Sequence, residues 1–187
     1  MTRPSLRTLA WGWLFGVGTV AIVGGIYGAL VLAGISFDTG ATTQHSRLFA
    51  WGVHMTMNNS VRRRAPVEVP RLPPDDATLL AGARQYESHC LACHGGPGVA
   101  RARWASGMLP TPPYLLDMPK RFSHAEIYTL VHDGVKMTGM PAWGEVESDR
   151  EVAEVVAYLE AMPRMTPAQF DAWRKRARAQ SLSSVSR

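Results

Sequence analysis

The sequence predicts an all-α protein: one long apolar helix, then a small helical domain. Residues 8–37 hold no charged side chain. Two capping boxes, Ser123 with Glu126 and Ser148 with Glu151, open segments of helical periodicity. Between them and the apolar run, Cys90-Leu91-Ala92-Cys93-His94 closes a further helical stretch with two thiols and an imidazole.

The uncharged run is thirty residues long, from after Arg7 to before Asp38. A membrane-spanning helix needs roughly 20 such residues and a secretory h-region only about 7–15. The run therefore reads as an anchor over residues 8–37. The alternative is a signal peptide cleaved near the small residues Ala29, Ala33 and Gly34. Residues 1–7 carry Arg3 and Arg7, which keep the head cytoplasmic and place everything from Asp38 onward outside. Trp11, Trp13 and Tyr27 suit interfacial or helix-contact positions. Gly12 with Gly16, and Gly24 with Gly28, have the spacing that lets a second helix approach, although glycine is common in membrane helices generally.

Net charge is +5, unevenly spread: residues 72–163 are net −5 and the remainder net +10. The basic residues cluster beside apolar segments, in Arg62-Arg63-Arg64 and Arg174-Lys175-Arg176. That pattern points to a lipid bilayer surface and away from nucleic acid.

Residues 43–64 read as one helix with Leu48, Phe49, Trp51, Val53, Met55, Met57 and Val61 on a broad apolar side. Arg62, Arg63 and Arg64 end it, and it suits the headgroup region, where Arg meets lipid phosphate. His45, His54, Met55 and Met57 are possible ligand types, but no i, i+4 His pair exists. Residues 66–74 contain four prolines, the composition of an extended, semi-rigid tether. Residues 38–74 thus form a juxtamembrane helix and linker, leading into a domain over residues 75–163. Residues 164–187 form a basic tail. Thr166-Pro167 starts a short helix with Phe170 and Trp173 on one side and Arg174, Lys175, Arg176 and Arg178 on another. Its chemistry suits a membrane surface or an acidic partner, and Ser181–Arg187 reads as unstructured.

The two cysteines, Cys90 and Cys93, are the only ones in the chain. C-x-x-C-H is the attachment pattern of c-type haem. Thiols three positions apart on a helical turn reach the two vinyl groups of one porphyrin, and His94 then points at the iron from the same side. A thioredoxin-like redox pair would want a βαβ context, which is absent. Zinc would want a second Cys/His pair.

Over about residues 76–162 the sequence resembles the class I cytochrome c family. The resemblance rests on five pieces in order: a helix over Asp76–His89 bearing Gly82 and Tyr86, the Cys90–His94 motif, a middle helix from Ser123 to Gly134, the loop Gly139-Met140-Pro141-Ala142-Trp143, and a last helix from Ser148 carrying Tyr158 and stopped by Pro163. It implies a helical fold around one covalent heme c, in which Gly82 receives the Tyr158 side of the last helix. It also implies Met140 as second axial ligand opposite His94, and a proline-loop carbonyl, from Pro110 or a neighbour, on the His94 ring. Met137 is the rival sulfur. His124 and His132 are the imidazole rivals, with surface positions as their alternative. Met108 and Met118 read as gap fillers. Trp143 would pack near the haem or simply in the core. Arg101, Arg103 and Lys120 are candidates for haem propionates or a partner, or else solvated surface.

The function implied is one-electron transfer with no catalytic residues, the cofactor-binding residues being Cys90, Cys93, His94 and Met140. The partner would be a membrane-bound redox complex: a dehydrogenase, a quinol-linked complex or a terminal oxidase. The location would be a bacterial inner membrane, single-pass, with the haem domain on the periplasmic side. The alternatives are a haem enzyme or gas sensor with a labile sixth ligand, and a redox anchor for another subunit.

Overall fold

A computed structural model of the protein describes residues 5–185, with side-chain environments through Gln180. Among these residues there is no β-strand, only an isolated bridge between Gly96 and Val99. The chain divides into two compact units, Met1–Thr43 and Gln44–Arg187.

The first unit is helix α1 (Leu6–Leu32), capped by Ser5, whose hydroxyl accepts from Thr8 N at 3.3 Å. At about 1.5 Å per residue its 27 residues extend about 40 Å. The helix is long and apolar enough to cross a membrane, and none of its residues is buried. Arg3, half of the basic head read from the sequence, lies outside the described residues.

The second unit starts with α2 (Arg47–Arg64). This helix opens four residues later than expected because Ser46 caps it, its hydroxyl accepting from Phe49 N. Helices α3 (Asp76–Gln85), α4 (Leu91–His94), α5 (Met118–Arg121), α6 (His124–Asp133), α7 (Asp149–Ala161) and α8 (Pro167–Val185) follow. A π-turn over Tyr86–Cys90 joins α3 to α4, so helical backbone is continuous from Asp76 to the motif histidine.

The centre is the crossing of α3 and α7. A Cβ added at Gly82 would collide with the Glu154 carbonyl oxygen and lie 2.8 Å from the Tyr158 Cβ. Only glycine lets the two backbones meet there. Both capping boxes form as expected at α6 and α7. Gly134 ends α6 at φ 62°, and a Cβ there would strike the Pro141 carbonyl, so the turn into the next loop needs glycine twice over. Val152, Val155, Val156, Tyr158 and Leu159 of α7 are buried with Ile127, Leu130 and Val131 of α6. Pro163 sits in the 3-10 turn Met162–Arg164 that follows α7.

The flanking segments differ from expectation. Arg62 Nε lies 3.4 Å from Glu126, and Arg64 Nη1 donates to Asp133 at 2.5 Å. Carboxylates of α6 thus occupy arginines assigned to lipid phosphate, and Val61 beside them is buried. The proline stretch also rests on the domain. Val69 and Leu72 pack against the core, and the Pro70 carbonyl is 3.2 Å from His124 Nε2. His124 is therefore no surface residue: its other ring nitrogen meets Glu160 at 3.0 Å and its side chain is 8% exposed. Helix α8 is not short, running through Val185, where an unstructured end was expected. Ser186 and Arg187 lie outside the described residues, as do the side chains after Gln180.

Candidate haem site

The motif residues come together because helical backbone carries straight through them. Cys90 ends the π-turn, Cys93 stands three residues on, and His94 closes α4. That spacing puts both thiols on one side. Both cysteines are free and half-buried. Burial, with Cys93 alongside, pushes the Cys90 thiol up to about 12. This is the opposite direction from the lowered thiol of a dithiol redox catalyst. Among the described residues no group of three or more His, Cys, Asp and Glu side chains is placed to hold a metal ion.

His94 Nδ1 lies 2.7 Å from the Pro113 carbonyl. A carbonyl only accepts, so the ring N–H is on Nδ1, and Nε2 keeps its lone pair for a metal. Burial lowers the His94 pKa, the Pro113 bond works against this, and the Arg101 charge lowers it again. The net effect favours the neutral ring, the form that ligates iron. The proline-loop carbonyl left open between Pro110 and its neighbours is that of Pro113.

The turn after His94 is tightly built. Gly95 takes φ 63°, and a Cβ there would stand 2.6 Å from Val99 O and 3.0 Å from Arg101 N. The Gly95 carbonyl accepts the buried Tyr86 hydroxyl at 2.7 Å. Burial drives the Tyr86 pKa strongly upward, so this hydroxyl stays a donor. Ala102 N donates to Ala92 O at 2.8 Å, tying the outgoing chain back to the motif. Arg101 is half-buried and engaged within the domain: it donates to the Pro112 carbonyl and lies 4.0 Å above the Tyr114 ring. Lys120 pairs with Asp117 at 3.1 Å, and Arg103 is exposed.

Met140 sits in the loop between α6 and α7. Val135 N donates to Met140 O at 3.2 Å, and Met140 N to Thr138 Oγ1 at 3.1 Å, so its backbone is held on both sides. Its side chain is half-buried, whereas Met137 has φ 62° and is 91% exposed. A Cβ at Gly139 would collide with the Met108 methyl, so the loop after the motif touches the methionine loop. Trp143 packs against His89 in a tilted arrangement with ring centroids 4.7 Å apart, and His89 Nε2 is 3.6 Å from Glu147. His132 lies beside Asp133, its Nδ1 2.8 Å from a carboxylate oxygen. Sequence reasoning missed the His89–Trp143 pair and the role of Arg101. Neither has a local signal: Trp143 lies in a distant segment from His89, and Pro112 and Tyr114 meet Arg101 only through the folded path of the proline loop.

Residues 77–159 match the sequence model of the family described as cytochrome C oxidase, cbb3-type, subunit III. No curated protein and no solved structure gives a match. With the helical fold and the C-x-x-C-H motif, the match identifies residues 77–159 as a cytochrome c domain of the class I type, in a chain whose N-terminal helix is long and apolar enough to cross a membrane. The domain's function is haem-based electron transfer, and it is a carrier in place of a catalytic enzyme.

Proposed function

We propose that the protein carries one haem c, bound through Cys90 and Cys93, with His94 and Met140 as axial ligands, and passes single electrons to a membrane-bound redox complex. The observation that carries this reading is the His94 ring. Its Nδ1 is committed to Pro113, which turns Nε2 toward ligation, immediately beside the paired thiols. When bound, the haem supplies a one-electron ferric/ferrous couple. The chain supplies its environment. Pro113 fixes the tautomer and raises the basicity of His94. Met140 brings a soft thioether that raises the potential. With both axial positions taken by protein there is no open site for substrate.

The N-terminal helix would anchor the chain once through a bacterial cytoplasmic membrane, with the haem domain on the periplasmic side. This follows from Arg7 before the span and from C-x-x-C-H chemistry after it. An anchored carrier meets a partner in the same membrane at high effective concentration. The kind of complex named by the matching family supports a terminal oxidase or a related assembly as that partner.

The axial ligand is tested by methionine replacement in the holoprotein. Met140→Ala is expected to abolish the thioether-to-iron band of the oxidised spectrum and lower the potential. Met137→Ala, at an exposed position, is expected to leave both unchanged. The reverse result reassigns the ligand to Met137, and no effect from either assigns it elsewhere.

A further inference from the structure

The His94–Pro113 hydrogen bond joins segments nineteen residues apart, and the acceptor sits in a run that cannot hold itself. Pro112 and Pro113 have no backbone N–H, so at two consecutive positions the chain cannot donate to anything. Something outside the run must fix it. Arg101 is placed to do so. Its guanidinium donates to the carbonyl of Pro112, the residue before the acceptor. The same group lies 4.0 Å above the ring of Tyr114, the residue after the acceptor. The base of Arg101 is itself anchored to the motif. The next residue, Ala102, donates to Ala92 O, and the Arg101 amide nitrogen packs on Gly95, whose missing side chain leaves room for it and for the Tyr114 ring edge.

We propose that Arg101 is a positioning residue for the axial ligand: by gripping Pro112 and Tyr114 on either side of Pro113, it holds the Pro113 carbonyl on the His94 ring N–H. The grip uses properties of arginine that lysine lacks. The planar guanidinium stacks on an aromatic face while its edge still donates in plane. An ammonium can reach the Pro112 carbonyl or sit over the ring, but its point charge does not do both in one fixed geometry. The inference rests on the reading of His94 as an iron ligand.

The test is proton NMR of the oxidised, full-length holoprotein, following the hyperfine-shifted Nδ1–H of His94 and its exchange with solvent, together with the reduction potential. In Arg101→Lys the charge stays and the two-sided grip is lost. The ring N–H is then expected to exchange several-fold faster, and the potential to rise, because a histidine with a weaker acceptor donates less to ferric iron. Tyr114→Leu removes one half of the grip and is expected to speed exchange in the same direction by less. Arg150→Lys, at a side chain 76% exposed on α7, is the control and leaves both readings where they were. Unchanged exchange in both Arg101→Lys and Tyr114→Leu overturns the positioning role while leaving His94 as ligand. Absence of any hyperfine-shifted ring N–H overturns the ligand reading and this inference with it.

Discussion

Helix α2 carries Leu48, Phe49, Trp51, Val53 and Met55 and closes on three arginines. Helix α8 carries Phe170 and Trp173 and four cations between Arg174 and Arg178. By composition the two are alike, and both suit a lipid surface. In the structure they part. Phe170 is fully buried, its ring 6.2 Å from that of Tyr86 and 6.3 Å from that of Tyr158. It fills the space above Gly96, where a Cβ would collide with the ring. Arg174 and Arg178 converge on Glu87, and Arg176 meets Asp76. In α2 only Val61 is buried, while Leu48 is 75% and Trp51 62% exposed. The difference lies in the surface each helix faces. The α3 side offers two carboxylates and an aromatic recess in register with α8. The α6 side offers Glu126 and Asp133 to the last turn of α2.

The largest expected effect sharpens this contrast. Phe170→Ala removes a buried aromatic from between two tyrosines and is expected to cost about 3–5 kcal/mol. Trp51→Ala, at an exposed site of similar composition, is expected to stay within about 0.5 kcal/mol. Thermal or denaturant unfolding of the two holoproteins measures both. Equal losses would mean that α2 is packed as deeply as α8.

What was legible in the sequence was what one segment decides for itself. The capping boxes, Gly134 and the motif are each contained in a few residues, and all form where they were expected. Gly82 against Tyr158 is a long-range contact, yet the family resemblance carried it. The destinations of the arginines were not legible. Arg174 and Glu87 are eighty-seven residues apart, and charge clusters alone do not say whether carboxylate or phosphate will answer them. His124 failed for the same reason, since Pro70 and Glu160 lie in other segments. The proline loop offered several equivalent carbonyls, and only the folded path selects Pro113.

The next effect concerns Glu87. Burial pushes its carboxyl up, but the hydrogen bonds and charges of Arg174 and Arg178 outweigh this and hold it below its ordinary value of 4.5. A carboxyl depressed on folding contributes stability that is complete above the unfolded value. That contribution fades as pH falls below about 4.5 and through the lower folded value. Glu87→Gln is expected to cost about 1–3 kcal/mol at neutral pH, through loss of charge-assisted hydrogen bonds. It is also expected to flatten the acid limb of the stability curve. Unfolding midpoints from pH 3 to pH 7, followed by the fluorescence of Trp173 and its neighbours, read both at once. A variant with the same acid limb as the parent would place the titrating group elsewhere.

The smallest effect comes from the corresponding cations of α2. Arg62 and Arg64 are 58% and 47% exposed at their side chains, although Glu126 and Asp133 are more sheltered. Exposed pairs of this kind are worth about 0–1 kcal/mol and weaken with salt. Arg62→Gln with Arg64→Gln is therefore expected to change global stability by less than about 1 kcal/mol. Locally the two arginines matter more, because they pair with α6 in the same last turn of α2 where Val61 is buried. Amide exchange over residues 58–64 is expected to rise in the double variant, and in the parent at high salt, while exchange in α8 stays unchanged. A double variant whose α2 remains as protected as before would show that Val61 alone docks the helix. The α2 flank would then be held by one buried apolar residue, with charge secondary there.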